Sequence, residues 1–268
     1  MSPSPPPAPA VRWDAADYRA NSSAQTAWGR EVHERLELHG DEAVLDLGCG
    51  DGHLTAELAG RLPAGRAVGL DADPDMISFA RRTFARSNLS FVQGDVRTFA
   101  LPEGVDRIVS TACLHWVAEH AAVLRRCRAH LATGGGILLQ MGGRGNCAGI
   151  LETCTSVAAG ARWSRHLRGF ASPWHFHGPE EYRRWLPPAG FRLIRAELLD
   201  RSMVHEGREA FQGWMRTTWM PVLARLPEEG RADFLDEVTD RYLEAHPPDA
   251  AGCSRVAMVR LEVEAVAA

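Results

Sequence analysis

Three glycines alternate with other residues directly behind a short apolar run in Val44-Leu45-Asp46-Leu47-Gly48-Cys49-Gly50-Asp51-Gly52. Lacking a Cβ, Gly48, Gly50 and Gly52 let the backbone pass close to a ligand, and the helix that follows turns its free amides toward it. A dinucleotide fingerprint needs G-x-G-x-x-G, and His53 stands where its third glycine would fall. That mismatch argues against a nicotinamide cofactor. Two further acids close the next two strand-like runs, Asp71 after Val68-Gly69-Leu70 and Asp95 after Phe91-Val92-Gln93-Gly94. In a doubly wound sheet such strand ends face one crevice. An acid after the second strand can accept from both ribose hydroxyls, and an acid or amide after the third can read an adenine edge. Taken singly, each is an ordinary cap or turn; at successive strand ends they indicate a nucleoside.

The elements that must position these residues are legible from pattern. Gln25 to Leu38 reads as a helix with Trp28, Val32 and Leu36 on one face. Ala43 to Leu47 reads as a buried parallel strand, His53 to Leu62 as a helix and Arg66 to Asp71 as a second strand. Asp73-Pro74 opens a third helix, with Asp73 as cap and Pro74 in the first turn. Leu89 to Gln93 and Val105 to Ser110 read as strands and Glu119 to Leu131 as a helix, after which Gly134-Gly135-Gly136 turns the chain into a strand at Ile137 to Met141. This alternation predicts an α/β fold, a doubly wound Rossmann-like, mostly parallel sheet with helices on both faces. Beyond Gly142 the pattern changes. Helices are expected at Cys147 to Leu167, Pro179 to Leu186, Arg208 to Leu223 and Glu228 to Ala245, and strands at Phe191 to Leu199 and Arg255 to Val263. The expected organisation is a disordered tail over residues 1–12, then one domain over 13–268 with an inserted helical lid at about 145–178 and 207–250.

Composition bounds the partners. The 268 residues are 45% hydrophobic and 24% charged, with 34 acidic against 30 basic residues and a net charge of −4. This balance disfavours nucleic acid. Every basic residue is Arg, so a lysine Schiff base and a P-loop lysine are excluded. Cys49, Cys113, Cys127, Cys147, Cys154 and Cys253 include no CxxC pair, which points away from disulfides and structural zinc and toward a reducing cytoplasm. No signal peptide or run of the roughly 20 apolar residues that span a bilayer is evident.

On the residues quoted, the chain resembles the class I S-adenosylmethionine-dependent methyltransferases. The matching pieces are Leu45 to Gly52, Gly69-Leu70-Asp71-Ala72-Asp73-Pro74-Asp75-Met76-Ile77, Gly94-Asp95, and Ser110-Thr111-Ala112-Cys113-Leu114-His115-Trp116-Val117. The branch it looks like holds the trans-aconitate, juvenile hormone acid and malonyl-carrier methyltransferases. Tyr18 with Asn21-Ser22-Ser23 and Gln25, and the stretch from Glu180 through Trp214 to Tyr242, are similar to it as well. The resemblance spans nearly everything after residue 12.

The resemblance implies S-adenosyl-L-methionine as cofactor and S-adenosyl-L-homocysteine as product. Gly48, Gly50 and Gly52, with Cys49, would pass the methionine moiety, Asp46 would anchor its amino group, and Asp71 would take the ribose. Met76 or Ile77 would pack on the adenine, Asp95 would bind its amino group, and Ala72, Gly94, Val96 and Thr111 would line the same strand ends. Tyr18 and Gln25 would close an N-terminal helix over the cofactor.

The acceptor implied is a small molecule, with an oxygen of a carboxylate or hydroxyl placed first. The alternatives are C- or N-methylation of a secondary metabolite, or a protein that binds the cofactor without methylating. A carboxylate is ionised at neutral pH and needs no base, whereas a hydroxyl, phenol or carbon acceptor needs one or another way to stabilise charge. His115 is the candidate catalytic residue, as base or as substrate-positioning group, against a purely structural role. Trp174, His175, Trp214 and Trp219 are the candidate acceptor-pocket residues among lid aromatics that mostly pack. Arg144, Arg162 and Arg216 are candidates for pairing an acidic acceptor, weighed against solvated surface. His175-x-His177 lacks a nearby third ligand, so no metal is expected. The expected assembly is a monomer or a homodimer.

Overall fold

The computed structural model describes residues 13–268, and the tail expected over residues 1–12 lies outside the described residues. The chain forms two compact units. One, the sheet unit, comprises Ser22–Asn146, Trp174–Arg201 and Met258–Ala268. The other, the helical unit, comprises the segment ending at Asn21 with Cys147–Pro173 and Ser202–Ala257.

The sheet is built from β1 (Ala43–Leu47), β2 (Arg66–Asp71), β3 (Leu89–Gln93), β4 (Val105–Thr111), β5 (Leu131–Gly142), β6 (Phe191–Glu206) and β7 (Cys253–Ala267). Their order is β3-β2-β1-β4-β5-β7-β6. The first five are parallel, and β7 runs antiparallel to β5. Alternation along β1 feeds two cores. Leu45 and Leu47 pack with Ile108 and Ile137, while Val44 packs on the opposite face with Val109 and Leu138. Burial on both faces is why β1 is apolar throughout except at Asp46.

The helices of the sheet unit are α2 (Ser23–Glu34), α3 (His53–Gly60), α4 (Pro74–Thr83), α5 (His120–His130) and α8 (Pro179–Trp185). Asp73 caps α4, accepting from the amides of Asp75 at 2.8 Å and Met76 at 3.0 Å, with Pro74 in the first turn. In the helical unit, α1 spans Ala15–Asn21, α6 Ala148–Ala158, α7 Ser164–Leu167, α9 Gly207–Thr218, α10 Met220–Leu223 and α11 Arg231–Ala245. Its aromatic core includes Phe211 stacked on Tyr242 at 5.4 Å and Trp163 edge-on to Phe234 at 5.3 Å. Among the described residues no helix is long and apolar enough to cross a membrane.

Several boundaries differ from the sequence reading. The glycine turn expected before β5 lies inside the strand: Val105 pairs with Leu131 and Arg107 with Gly136, so the intervening residues bulge out, with Gly134 at φ +75°. The single helix expected over 147–167 is two, α6 and α7. The helix expected over 208–223 breaks at Trp219, at φ −106° and ψ 20°, and Pro221, which has no amide to donate, sits in the first turn of α10. β6 and β7 are longer at their ends than the strands read from the sequence. The short α1 was not anticipated; Asp14 caps it, accepting from the amides of Ala16 and Asp17 at 3.0 Å each.

Candidate active site

The turn after β1 is set by steric demand. Gly48, Gly50 and Gly52 have φ of +76°, +53° and +81°, where a side chain is strained. A Cβ on Gly48 would lie 2.3 Å from Cys113, and one on Gly52 would lie 2.7 Å from Ala80 and the Phe91 ring. A Cβ on Gly50 would meet nothing within 4 Å among the described residues. Two of the glycines therefore allow close internal packing, and the third presents bare backbone to open space.

Asp46 lies beneath this turn, 2% exposed, on the face of β1 that α3 covers. Its Oδ2 accepts from Thr55 Oγ1 at 2.7 Å, while its buried Oδ1 has no hydrogen-bond partner among the described residues. Burial, reinforced by the charge of Asp71, pushes its carboxyl up to about 7. A buried acceptor lacking a donor is costly, and a cationic or N–H-bearing ligand is what would relieve it.

Asp71 ends β2 and accepts two main-chain amides, Gly50 on Oδ2 at 2.9 Å and Asp73 on Oδ1 at 2.9 Å. Burial raises its carboxyl above the ordinary range, opposed by those amides. Gly94 joins the same corner, its amide donating to Asp71 O at 2.9 Å. Asp95, at the end of the third strand, is held differently. Its carboxylate is gripped by the Arg97 guanidinium, with Nε 2.9 Å from Oδ1, and it also accepts the Arg97 amide at 2.8 Å. The hydrogen bonds from Arg97 hold its pKa low. Its main-chain carbonyl is taken as well, accepting from the amides of Thr98 at 3.0 Å and Phe99 at 2.9 Å. Val96 beside it is buried in the core, and Met76 is buried in the first turn of α4. Ala72 is exposed, its carbonyl accepting from Gln93 Nε2 at 3.4 Å.

The end of β4 is strained. Ala112, directly after Thr111, has φ +54°, an uncommon conformation for a residue with a Cβ. The chain then winds one short 3₁₀ turn, Leu114–Trp116, that carries His115. His120 props this turn from below: its Nε2 donates to Leu114 O at 2.8 Å, so its Nδ1 accepts from Tyr182 Oη at 2.8 Å. The main-chain amide of Gly142 donates to His115 Nδ1 at 3.4 Å, and His115 O accepts from the His175 amide at 2.8 Å. Burial, with the positive charge of Arg260, holds the His115 imidazole well below its ordinary 6.5. A neutral ring whose Nδ1 is an acceptor carries its proton on Nε2. Phe176 and Trp116 flank the ring at 6.0 and 5.5 Å, and Trp174 packs on Trp116 at 5.8 Å.

The geometry thus gathers Asp46, Gly48, Cys49, Gly50, Asp71, Gly94, Asp95 and Thr111 at the carboxyl ends of adjacent strands, with His115, Trp174 and His175 joined just beyond. A family model described as a methyltransferase domain matches residues 44–135. The trans-aconitate 2-methyltransferase of Methylobacterium nodulans is 30% identical over 252 residues, covering 90% of this chain and 92% of that one. The enzyme of the same name from Methylobacterium radiotolerans is 32% identical over 261 residues, covering 94% and 97%. The chain belongs to the class I S-adenosylmethionine-dependent methyltransferases. Within them it falls in the trans-aconitate branch, and S-adenosylmethionine is its cofactor. The mycolic acid cyclopropane synthase CmaA1, solved with SAH, shares the fold at a TM-score of 0.59 and 16% identity, over 91% of this chain and 85% of that one.

The residues of this methyltransferase fit such a cofactor on two observations. Asp46 Oδ1 is a buried acceptor awaiting a donor, which an ammonium group supplies, and Gly50 borders open space where backbone can approach a ligand. Gln25 on α2 adds a third, since its Oε1 is buried without a hydrogen-bond partner among the described residues. Tyr18, Trp214 and Trp219 belong to the helical unit. There Tyr18 meets Trp13 edge-on at 5.3 Å, and the Trp214 and Trp219 rings, both buried, meet at 6.4 Å with His205 beside Trp214.

The three arginines offered by the sequence reading as partners for an acidic acceptor already hold carboxylates. Arg144 pairs with Glu181 at 2.6 Å, Arg216 with Asp17 at 2.6 Å, and Arg162 with Asp233. All three side chains are about half exposed, so they serve as surface pairs. Arg260, which the sequence reading passed over, is only 3% exposed. The available signal was its place in Val256 to Val263, where charged Arg260 and Glu262 interrupt an apolar strand.

Proposed function

We propose that this methyltransferase esterifies a carboxylate of a small organic acid. The observation that carries the reading is the Gly142 amide on His115 Nδ1. With that lone pair occupied and the ring neutral, His115 presents an Nε2–H donor rather than a base. A carboxylate needs no base, since it is ionised at neutral pH; a hydroxyl acceptor does. The curated name shared by the two Methylobacterium relatives, trans-aconitate 2-methyltransferase, supports an acid as acceptor.

When bound, S-adenosylmethionine would supply a methyl group activated by its sulfonium, to which an acceptor oxygen would bond in line as the carbon–sulfur bond breaks and S-adenosylhomocysteine leaves, with no proton transfer. The chain's contribution is alignment and charge. Asp46 Oδ1 takes the amino group, its carboxylate stabilised by Thr55. Asp71 accepts from the ribose while its two amide contacts hold the glycine turn. Gly50 and Cys49 let the methionine moiety lie against backbone, Gln25 covers it from α2, and the Met76 and Val96 corner with the Asp95 main chain borders the adenine. His115 Nε2–H steadies the acceptor oxygen, and Trp174 and His175 border the acceptor. The near balance of acidic and basic residues argues for a small-molecule acceptor over nucleic acid, and six cysteines with no disulfide among them suit a reducing cytoplasm.

The test is release of S-adenosylhomocysteine with matched panels of carboxylic acids, phenols, alcohols and amines. Turnover confined to acids supports the reading, and turnover confined to another panel overturns it.

A further inference from the structure

We propose that the outer edge of β6 is a pairing surface for a second copy of this chain. The two β6 strands run antiparallel about a two-fold axis at Ala196 and join their sheets into one.

The edge is open. Among the described residues β6 ends the strand order, with β7 as its neighbour, so one row of its amides and carbonyls runs unpaired along the outside. The strand is 16 residues long, with no Pro or Gly to interrupt it. The large apolar side chains that the described residues expose are Ile194 at 47%, Val204 at 44% and Leu198 at 38%, and all belong to β6. Strand alternation sets Ile194 and Leu198 on one face, either side of buried Ala196. Folded chains normally blunt or cover an apolar edge of this kind.

The sequence says which strand covers it. Arg192-Leu193-Ile194-Arg195-Ala196-Glu197-Leu198-Leu199-Asp200 is complementary to itself read backwards. With Ala196 opposite its own copy, Arg192 meets Asp200, Leu193 meets Leu199, Ile194 meets Leu198 and Arg195 meets Glu197. Two-fold symmetry makes each of these pairs twice. Opposite residues of an antiparallel pair share a face, so apolar meets apolar and each charge meets its opposite on both sides of the sheet.

Charge also fixes the register. Moving the axis to Glu197 sets that carboxylate against its own copy, and moving it to Arg195 sets two guanidiniums together; like charges directly opposite are penalised. Parallel pairing in register puts every charge beside its like. Arg195 already holds Glu197 and Glu262 in its own chain. Arg192 and Asp200, in contrast, are exposed and have no ion pair among the described residues, so both are available to a partner.

The test is the association state of the full chain, by sedimentation velocity over a concentration series at low ionic strength, where surface pairs are least screened. Wild type is expected to dimerise. Arg192→Glu sets two carboxylates together at both ends of the paired segment, and Asp200→Arg sets two guanidiniums there. Each variant alone should raise the dimer dissociation constant on the order of 10-fold. Mixed, the two variants restore an unlike pair at each end, and their heterodimer should recover wild-type affinity. That recovery also requires both variants to be folded. A wild type that stays monomeric at every concentration overturns the inference and leaves the edge to a strand of another protein. A dimer that neither variant weakens, or weakened variants that mixing does not rescue, places the contact elsewhere and overturns it too. None of the paired residues is assigned to cofactor or acceptor, so the outcome is independent of the carboxylate reading.

Discussion

The main-chain amide of Gly50 donates to Asp71 Oδ2 at 2.9 Å, tying the turn after β1 to the end of β2. Asp71 is thus the strut that shapes this loop, with its second oxygen fixed by the Asp73 amide at 2.9 Å, and in the proposed site it is also a wall for the cofactor.

Replacing Asp71 by Ala should weaken S-adenosylmethionine binding by roughly 1–3 kcal/mol, the range for hydrogen bonds to a charged group. Asp71→Asn, which keeps an acceptor for one amide, should fall between. Titration calorimetry measures this, and an unchanged Kd in Asp71→Ala would remove the residue from the site.

Asp46 should make cofactor binding pH-dependent. Its carboxyl is raised from 3.8 to about 7, and only the ionised form pairs with an ammonium group. Affinity should fall about tenfold per pH unit as pH drops below about 7. In the ligand-free protein the sign is opposite to that of a paired acid. The folded state holds the proton more tightly than the unfolded chain, so stability declines as pH rises from about 4 to about 7, by up to about 4 kcal/mol. Asp46→Asn should abolish both dependences, raising the ligand-free Tm at pH 8 while weakening binding. Denaturation and calorimetry from pH 5 to 8.5 check this, and flat wild-type profiles would contradict it.

Much of the cofactor half was legible beforehand because local signals agreed. The ends of β1, β2 and β3, the Asp73 cap and Pro74 all follow from short-range rules, and their strand ends converge by topology. What was not legible depends on pairing between distant strands and on charge competition. Arg97 grips Asp95, a contact two residues away that a strand-end reading of Asp95 did not weigh. Arg144, Arg162 and Arg216 meet carboxylates far off in sequence. Arg260 gains its place only through the register of β7 on β5, and the His115 tautomer only through Gly142.

The three loop glycines should separate stability from binding. Gly48→Ala combines φ +76° with a 2.3 Å approach to Cys113, so strain and overpacking together should cost about 3 kcal/mol or more. Gly50→Ala faces open space at φ +53° and should cost only about 1 kcal/mol in stability, yet it should weaken cofactor binding, since it puts a methyl group into the proposed cofactor space. Chemical denaturation beside cofactor titration resolves the two. Equal destabilisation, or Gly50→Ala with normal affinity, would show that the open side is not the cofactor side.

His115 should act as a donor. With saturating cofactor, kcat should stay level from pH 6.5 to 9, because the ring is neutral across that range. His115→Ala should lose about 1 kcal/mol of transition-state stabilisation, the worth of one hydrogen bond, with His115→Gln retaining part of it. A rate that climbs with pH through a histidine-like midpoint, and loses that limb in His115→Gln, would instead make it a base.

The most direct measurement is the chemistry of the product. Protein, S-adenosylmethionine labelled in its methyl group and a panel of di- and tricarboxylic acids are incubated, and the isolated product is treated with mild alkali. The expected result is a single methyl added per acid, released quantitatively as labelled methanol, the signature of an ester. Label that stays on the acceptor in alkali, as an ether, amine or carbon-bound methyl would, contradicts carboxylate methylation.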